Sequence, residues 1–180
     1  MKIQRMISME FLATAILAVA IVGSGHMAIN LQADSGMVLL INALATAMGL
    51  ALVIKIGMKV SGSHFNPAVT LIMLLLKKIT PQLSLFYITA QIVGAIAGVG
   101  FANLLFDQKA LDQSSIERSG SNLFFSEVFA TAILLWIILR FPKRDDLIAV
   151  YVPLLDFWCH IVHLKHIICQ SGDNNWSHLY

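Results

Sequence analysis

The stretch that decides the fold lies between two long apolar segments and reads Val60-Ser61-Gly62-Ser63-His64-Phe65-Asn66-Pro67-Ala68-Val69-Thr70. Asn66 is a favoured helix N-cap, and Pro67 suits the first helical position because its missing N–H would have no partner there. The apolar run 67–76 has ten residues and ends at Lys77-Lys78. At about 1.5 Å per residue it reaches only about half-way through the hydrocarbon of a bilayer. The sequence therefore predicts a half-helix that begins in the middle of a membrane.

The composition of the chain is typical of a membrane protein. Of its 180 residues, 58% are hydrophobic and only 12% are charged, which argues against a soluble globule. We expect an all-α membrane protein with about five spans plus the re-entrant half-helix. The spans are predicted at residues 7–29, 37–56, 83–106 and 123–139, and in a fifth segment from Leu147 whose apolar pattern ends at Leu155. The alternative for Asn-Pro-Ala alone is a surface loop, but its place between two hydrophobic spans favours the half-helix.

Lysine and arginine are distributed unevenly over the predicted loops. If the spans alternate and the half-helix leaves by the face that it entered, one side of the membrane carries Lys2, Arg5, Lys59, Lys77, Lys78, Arg140, Lys143 and Arg144. Such a bias marks the cytoplasmic side. The sequence therefore predicts a multi-pass protein of the cell inner (plasma) membrane with its N-terminus in the cytoplasm and the lipid bilayer as its surroundings.

The chain contains an internal repeat. Glu10-Phe11-Leu12-Ala13-Thr14-Ala15 returns as Glu127-Val128-Phe129-Ala130-Thr131-Ala132, each at the head of an apolar run, whereas Asn-Pro-Ala follows only the first copy. A carboxylate inside a membrane is costly unless it is hydrogen-bonded, so we expect Glu10 and Glu127 to have donor partners. The alternative is an interfacial glutamate near each helix start. We predict a first repeat at residues 1–106 and an incomplete second repeat at 107–155.

With these motifs, residues 9–155 resemble the aquaporin family, also called the major intrinsic proteins, and its bacterial members in particular. The resemblance implies an aquaporin-like helical bundle in which two inverted repeats bring two Asn-Pro-Ala helix ends together at the centre of a pore. It implies passive transport of water or a small neutral solute such as glycerol, without catalytic residues, cofactor or metal. It also implies a homotetramer for a complete channel. We expect no nucleic-acid partner.

The resemblance also assigns roles to individual residues. The pore signature is Asn66, Pro67 and Ala68, with Asn66 donating hydrogen bonds to passing water. The carbonyl groups of the loop before it line the vestibule, namely those of Gly62, Ser63, His64 and Phe65. Glu10 and Glu127 brace the two signature loops. Gly94 and Gly98 suit close packing between helices.

Residues 156–180 depart from the family pattern, which has a second signature loop and a sixth span in this region. One choice of codons for residues 167–177, read one base later, encodes Ser-Phe-Ala-Asn-Pro-Ala-Ile-Thr-Ile-Gly-Arg. We therefore predict that the chain is out of frame after about Leu155, truncated relative to its family, and impaired as a channel.

Two other functions stay open, and an enzyme is not expected. One is a nonconducting remnant or partner-binding membrane subunit. The other is a metal-binding membrane module built on the zinc-competent side chains of His160, His163, His166 and Cys169. Steps of three residues on a helix each fall about 60° short of a turn, so the first and last of these face opposite ways. The sequence has no His-Glu-x-x-His motif, no serine nucleophile beside a base and no paired aspartates within spans.

Overall fold

The computed structural model describes the backbone of residues 3–110, 121–141 and 144–170, and the side chains of residues 3–110, 128–141 and 144–162. Six α-helices follow one another in these ranges: α1 (Ile3–Asn30), α2 (Ser35–Gly57), α3 (Pro67–Leu75), α4 (Pro81–Leu105), α5 (Ser121–Arg140) and α6 (Asp145–Gln170). The described ranges contain no strand. The predicted all-α fold class is confirmed.

Three helices begin at residues that satisfy their first free N–H groups. Asp34 caps α2 by accepting from the Met37 N–H, and Thr80 caps α4 by accepting from the Leu83 N–H. Asn66 caps α3, and a proline occupies the first helical position of both α3 and α4. The predicted start of the half-helix at Pro67 therefore agrees with the structure.

Three of the described helices are long and apolar enough to cross a membrane, namely α1, α2 and α4. α3 has only 9 residues, and the apolar stretch found in α5 covers Val128–Arg140. Many large apolar side chains on the long helices are exposed, among them Met48, Leu52 and Leu104, as expected where lipid replaces water. The chain is a multi-pass membrane protein.

α1 is the central helix of the N-terminal half of the chain, because α4 and α2 both pack along it. A Cβ atom built at Gly94 would lie 2.5 Å from the carbonyl oxygen of Phe11, and one at Gly98 would overlap the carbonyl oxygen of Ala15. The backbones of α1 and α4 therefore touch directly, as the Gly94 and Gly98 spacing predicts. On the other side of the fold, α6 packs against α2 and α5.

α6 is longer than the predicted fifth span, since it continues to Gln170 although the apolar pattern ends at Leu155. Helix formation depends on backbone hydrogen bonds and on helix propensity. Both continue after Leu155, although the residues there are less hydrophobic. Pro153 lies inside the helix and removes one backbone donor. One turn after Asp156, the Nδ1 atom of His160 lies 2.9 Å from the Asp156 carbonyl oxygen. The other three residues of the alternative metal module, His163, His166 and Cys169, lie outside the described side chains.

Candidate functional site

One face of α3 packs inside the bundle. Val69, Thr70 and Met73 are buried, whereas Leu71 on the opposite face and Leu75 at the helix end are exposed. The Nε2 atom of Gln91 donates to Thr70 Oγ1 over 3.1 Å. Gln91 lies ten residues beyond Pro81, about 15 Å along α4, and about 15 Å is half the thickness of a bilayer's hydrocarbon. α3 therefore starts at mid-depth and ends beside the start of α4.

Glu10 is completely buried in α1 and accepts four hydrogen bonds. The donors are Ser61 Oγ at 2.5 Å, the backbone N–H groups of His64 at 3.1 Å and Phe65 at 2.7 Å, and Gln91 Nε2 at 2.7 Å. Hydrogen bonds to an ionised group are strong and offset the cost of burying it. The alternative of an interfacial glutamate does not fit the complete burial of Glu10.

The hydrogen bonds to Glu10 set the direction of the loop carbonyls. In a trans peptide the C=O points opposite to the following N–H, and the described chain contains no cis peptide. Because the His64 and Phe65 N–H groups point at Glu10, the carbonyls before them point away from it. The Ser63 N–H turns towards Ser61 Oγ in the same way. Three carbonyls in a row, those of residues 62–64, thus face away from the hydrogen bonds that anchor the loop.

These three carbonyl oxygens receive no hydrogen bond from any described residue. The loop reaches this shape through positive φ angles at Gly62 (89°), Ser63 (53°) and Phe65 (47°). Only the first is a glycine, and the left-handed conformation costs other residues about 1–2 kcal/mol each. The Phe65 ring is buried in the core against α2. No hydrogen bond of the same kind fixes the Phe65 carbonyl.

Only one of the two polar atoms of the Asn66 side chain is hydrogen-bonded to a described residue. Its Oδ1 accepts from the Ala68 N–H over 2.8 Å, which leaves Nδ2 without an acceptor among the described residues. Pro67 and Ala68 form the first helical positions, where the helix dipole is positive. The Asn66 amide can therefore donate two hydrogen bonds to a small polar molecule.

Three residues of this network have no predicted role. Tyr87 and Gln91, one turn apart on α4, are fully buried, and the Tyr87 hydroxyl donates to the Ser61 carbonyl over 2.8 Å. Thr70 donates to the Asn66 carbonyl and contacts His64 Nδ1, with both distances 3.1 Å. The sequence signal for this network is the spacing of Tyr87 and Gln91, two polar residues at i, i+4 within an apolar span.

The second predicted bracing residue, Glu127, lies in α5, but its side chain is outside the described part of the chain. The site is therefore described only around Glu10 and the loop before α3. Of the predicted site residues, the structure brings together Glu10 and the loop 62–65 with Asn66, Pro67 and Ala68.

Comparison with known proteins identifies the family. The sequence profile of the major intrinsic proteins matches residues 1–166 and ends inside the segment predicted to be out of frame. An aquaglyceroporin of Rhizobium meliloti (strain 1021) is 42% identical over 118 residues, covering 66% of this chain and 51% of the relative. Aquaporin-4 of Mus musculus is 30% identical over 180 residues, covering 94% of this chain and 54% of the relative. The chain thus spans about half the length of these two curated relatives.

The fold also resembles that of a solved structure. The X-ray structure of the aquaglyceroporin from Plasmodium falciparum superposes with a TM-score of 0.74 and covers 96% of this chain and 84% of that one. The two sequences are only 20% identical, so this likeness bears on the fold alone. Because the family profile extends over residues 1–166 of a 180-residue chain, the chain belongs to the major intrinsic protein family.

Proposed function

We propose that this chain belongs to a channel for the passive movement of water or small neutral solutes such as glycerol across a membrane. One observation carries the proposal: within the part of the chain that the structure describes, the carbonyls of residues 62–64 accept no hydrogen bond, and they precede Asn66, whose Nδ2 has no acceptor there, at the start of α3. A hydroxyl-bearing molecule needs acceptors for its protons and a donor for its oxygen. A path lined in this way replaces the hydrogen bonds that the molecule loses on leaving water.

The electrostatics of the half-helix disfavour a cation relative to a neutral solute. The N-terminus of α3 carries the positive end of the helix dipole, which opposes the approach of a cation. The two curated relatives described above are named as an aquaglyceroporin and an aquaporin. The proposal therefore includes both water and glycerol.

The proposal extends to location and assembly. The Lys and Arg bias supports the inner (plasma) membrane with a cytoplasmic N-terminus. Family resemblance supports a homotetramer for a complete channel. The internal repeat supports a boundary between a first repeat at 1–106 and a second, incomplete repeat at 107–155, with residues 156–180 out of frame.

A nonconducting remnant or partner-binding subunit is the second candidate. Residues 107–180 contain no second Asn-Pro-Ala, so the chain supplies one pore signature where the proposed pore needs two. The two candidates differ in one measurable property, the water permeability of membranes that contain the protein.

Osmotic swelling of proteoliposomes, followed by stopped-flow light scattering and normalised to inserted protein, tests the proposal. We expect little conduction from the 180-residue chain and fast conduction once the frame after Leu155 is restored and read to its own stop codon. In the restored chain, Asn66→Asp retains the N-cap oxygen but loses both N–H donors. The lost hydrogen bond lowers permeability about fivefold, because its net value is about 1 kcal/mol.

Asp34→Asn serves as the matched control, because it makes the reverse exchange at an exposed N-cap far from α3. It should leave permeability unchanged. A restored chain that conducts no faster than empty liposomes would contradict the proposed function. Equal conduction by the 180-residue and restored chains would contradict the proposed impairment.

A further inference from the structure

The turn that joins α3 to α4 contains a groove unrelated to the pore loop. The groove has a volume of about 370 Å³ and is lined by Leu74, Lys77, Lys78, Ile79, Thr80 and Pro81. α3 ends and a membrane-spanning helix begins at this turn. It therefore lies at a membrane surface, whichever side of the membrane that is.

The backbone of the turn places a lysine where helices usually have glycine. The Lys78 N–H donates to the Met73 carbonyl over 2.8 Å and the Lys77 N–H to the Leu74 carbonyl over 2.9 Å, the two bonds of a Schellman motif. Lys77 has a φ of 55°, a left-handed conformation that is unfavourable for a residue with a side chain. The chain thus holds a cationic side chain at the groove in spite of local strain.

The turn carries lysine side chains without an ion-pair partner and backbone N–H groups without an acceptor among the described residues. Lys77 and Lys78 are exposed, and the ion pairs found among the described residues, Arg144–Asp146 and Asp156–His160, involve neither of them. Within the described part of the chain, the backbone N–H groups of residues 79, 80 and 82 have no acceptor. Two exposed lysines and two residues whose N–H groups have no acceptor, Ile79 and Thr80, therefore line a groove next to the positive end of α4.

The neighbouring surface is apolar. Leu75 is 74% exposed and Leu76 is 46% exposed, on the last turn of α3 beside the two lysines. A small anion would use only the charged part of this surface, whereas an amphipathic anion would cover both parts. We propose that the turn at residues 76–80 binds the phosphate headgroup of an anionic phospholipid, with an acyl chain against Leu75 and Leu76.

Native mass spectrometry of the full chain in detergent tests this proposal. Dioleoyl phosphatidylglycerol is the probe, and dioleoyl phosphatidylcholine has the same acyl chains without net charge. We expect preferential retention of phosphatidylglycerol. The double variant Lys77→Gln/Lys78→Gln should weaken its binding about thirtyfold, from the usual contribution of two basic residues near an anionic lipid.

The matched control is Lys55→Gln/Lys59→Gln, which removes two exposed charges at the end of α2. It should weaken binding less than threefold, and Lys77→Arg/Lys78→Arg should retain binding. Circular dichroism checks that each variant keeps its helix content. Equal losses in the two glutamine variants, or equal retention of the two lipids, would overturn the proposal. Displacement of the lipid by an equal concentration of inorganic phosphate would also overturn it, because the groove would then be a plain phosphate site.

Discussion

The carboxylate of Glu10 connects three separate parts of the chain at one point. It lies in α1, it receives two backbone N–H groups and a hydroxyl from the loop before α3, and it receives an amide from α4. These bonds turn the loop carbonyls away from Glu10 and hold residues with positive φ in place. The orientation of the proposed pore-lining groups thus depends on one buried anion.

We expect Glu10→Gln to lower the free energy of unfolding by about 2–4 kcal/mol, because buried charge-assisted bonds are lost and an amide NH₂ then faces other donors. Denaturant titration in mixed micelles, followed by circular dichroism, measures the change. Asp34→Asn makes the same acid-to-amide exchange at an exposed N-cap and should change stability by less than about 0.5 kcal/mol. Equal effects of the two substitutions would show that Glu10 does not anchor the loop.

Sequence reasoning identifies some of these residues and not others. Glu10 and Asn66 stand out because a charge in an apolar run and an Asn-Pro pair are local signals. Tyr87 and Gln91 show only a weaker signal, two polar residues four positions apart in an apolar span, and Thr70 shows none. Their roles come from hydrogen bonds between residues up to 81 positions apart, which only the packing of α1, α3 and α4 brings together.

At the scale of elements, the starts of α2, α3 and α4 follow from their capping residues, and the short length of α3 follows from its apolar run. The length of α6 does not follow from hydropathy, because helix formation continues after the apolar pattern ends. The close approach of α1 and α4 is predictable from Gly94 and Gly98, but the identity of the partner helix required the structure.

Gly98→Ala should destabilise the protein by about 1–3 kcal/mol, because its Cβ would overlap the Ala15 carbonyl and force α1 and α4 apart. Gly100→Ala, on the same helix, is the matched control. Its Cβ would lie 3.5 Å from the Ala110 carbonyl oxygen, which is an ordinary packing distance. Alanine there should be neutral or stabilising by up to about 1 kcal/mol. The midpoints of denaturant unfolding of the two variants are measured in the same mixed micelles. Equal midpoints would contradict the direct backbone contact between α1 and α4.

At the scale of the whole molecule, the described part of the chain combines three long apolar helices with a half-helix that starts at mid-depth. Thr70 is hydrogen-bonded to Gln91, ten residues into α4, and α3 ends six residues before α4 begins, so α3 leaves the membrane on the side where α4 starts. The charge pattern predicts the same arrangement from sequence alone, since Lys77 and Lys78 then share a side with Lys59. The re-entrant path of residues 58–80 is the central claim about this protein.

Cysteine labelling from one side of the membrane tests this path most directly. In a chain with Cys159→Ala and Cys169→Ala, Leu76→Cys reports the end of α3 and Leu31→Cys reports the turn between α1 and α2. Both substitutions leave the loop charges unchanged. We expect an impermeant maleimide to label Leu76→Cys only from the cytoplasmic side and Leu31→Cys only from the opposite side. Labelling of both from the same side would show that α3 crosses the membrane and would contradict the re-entrant half-helix.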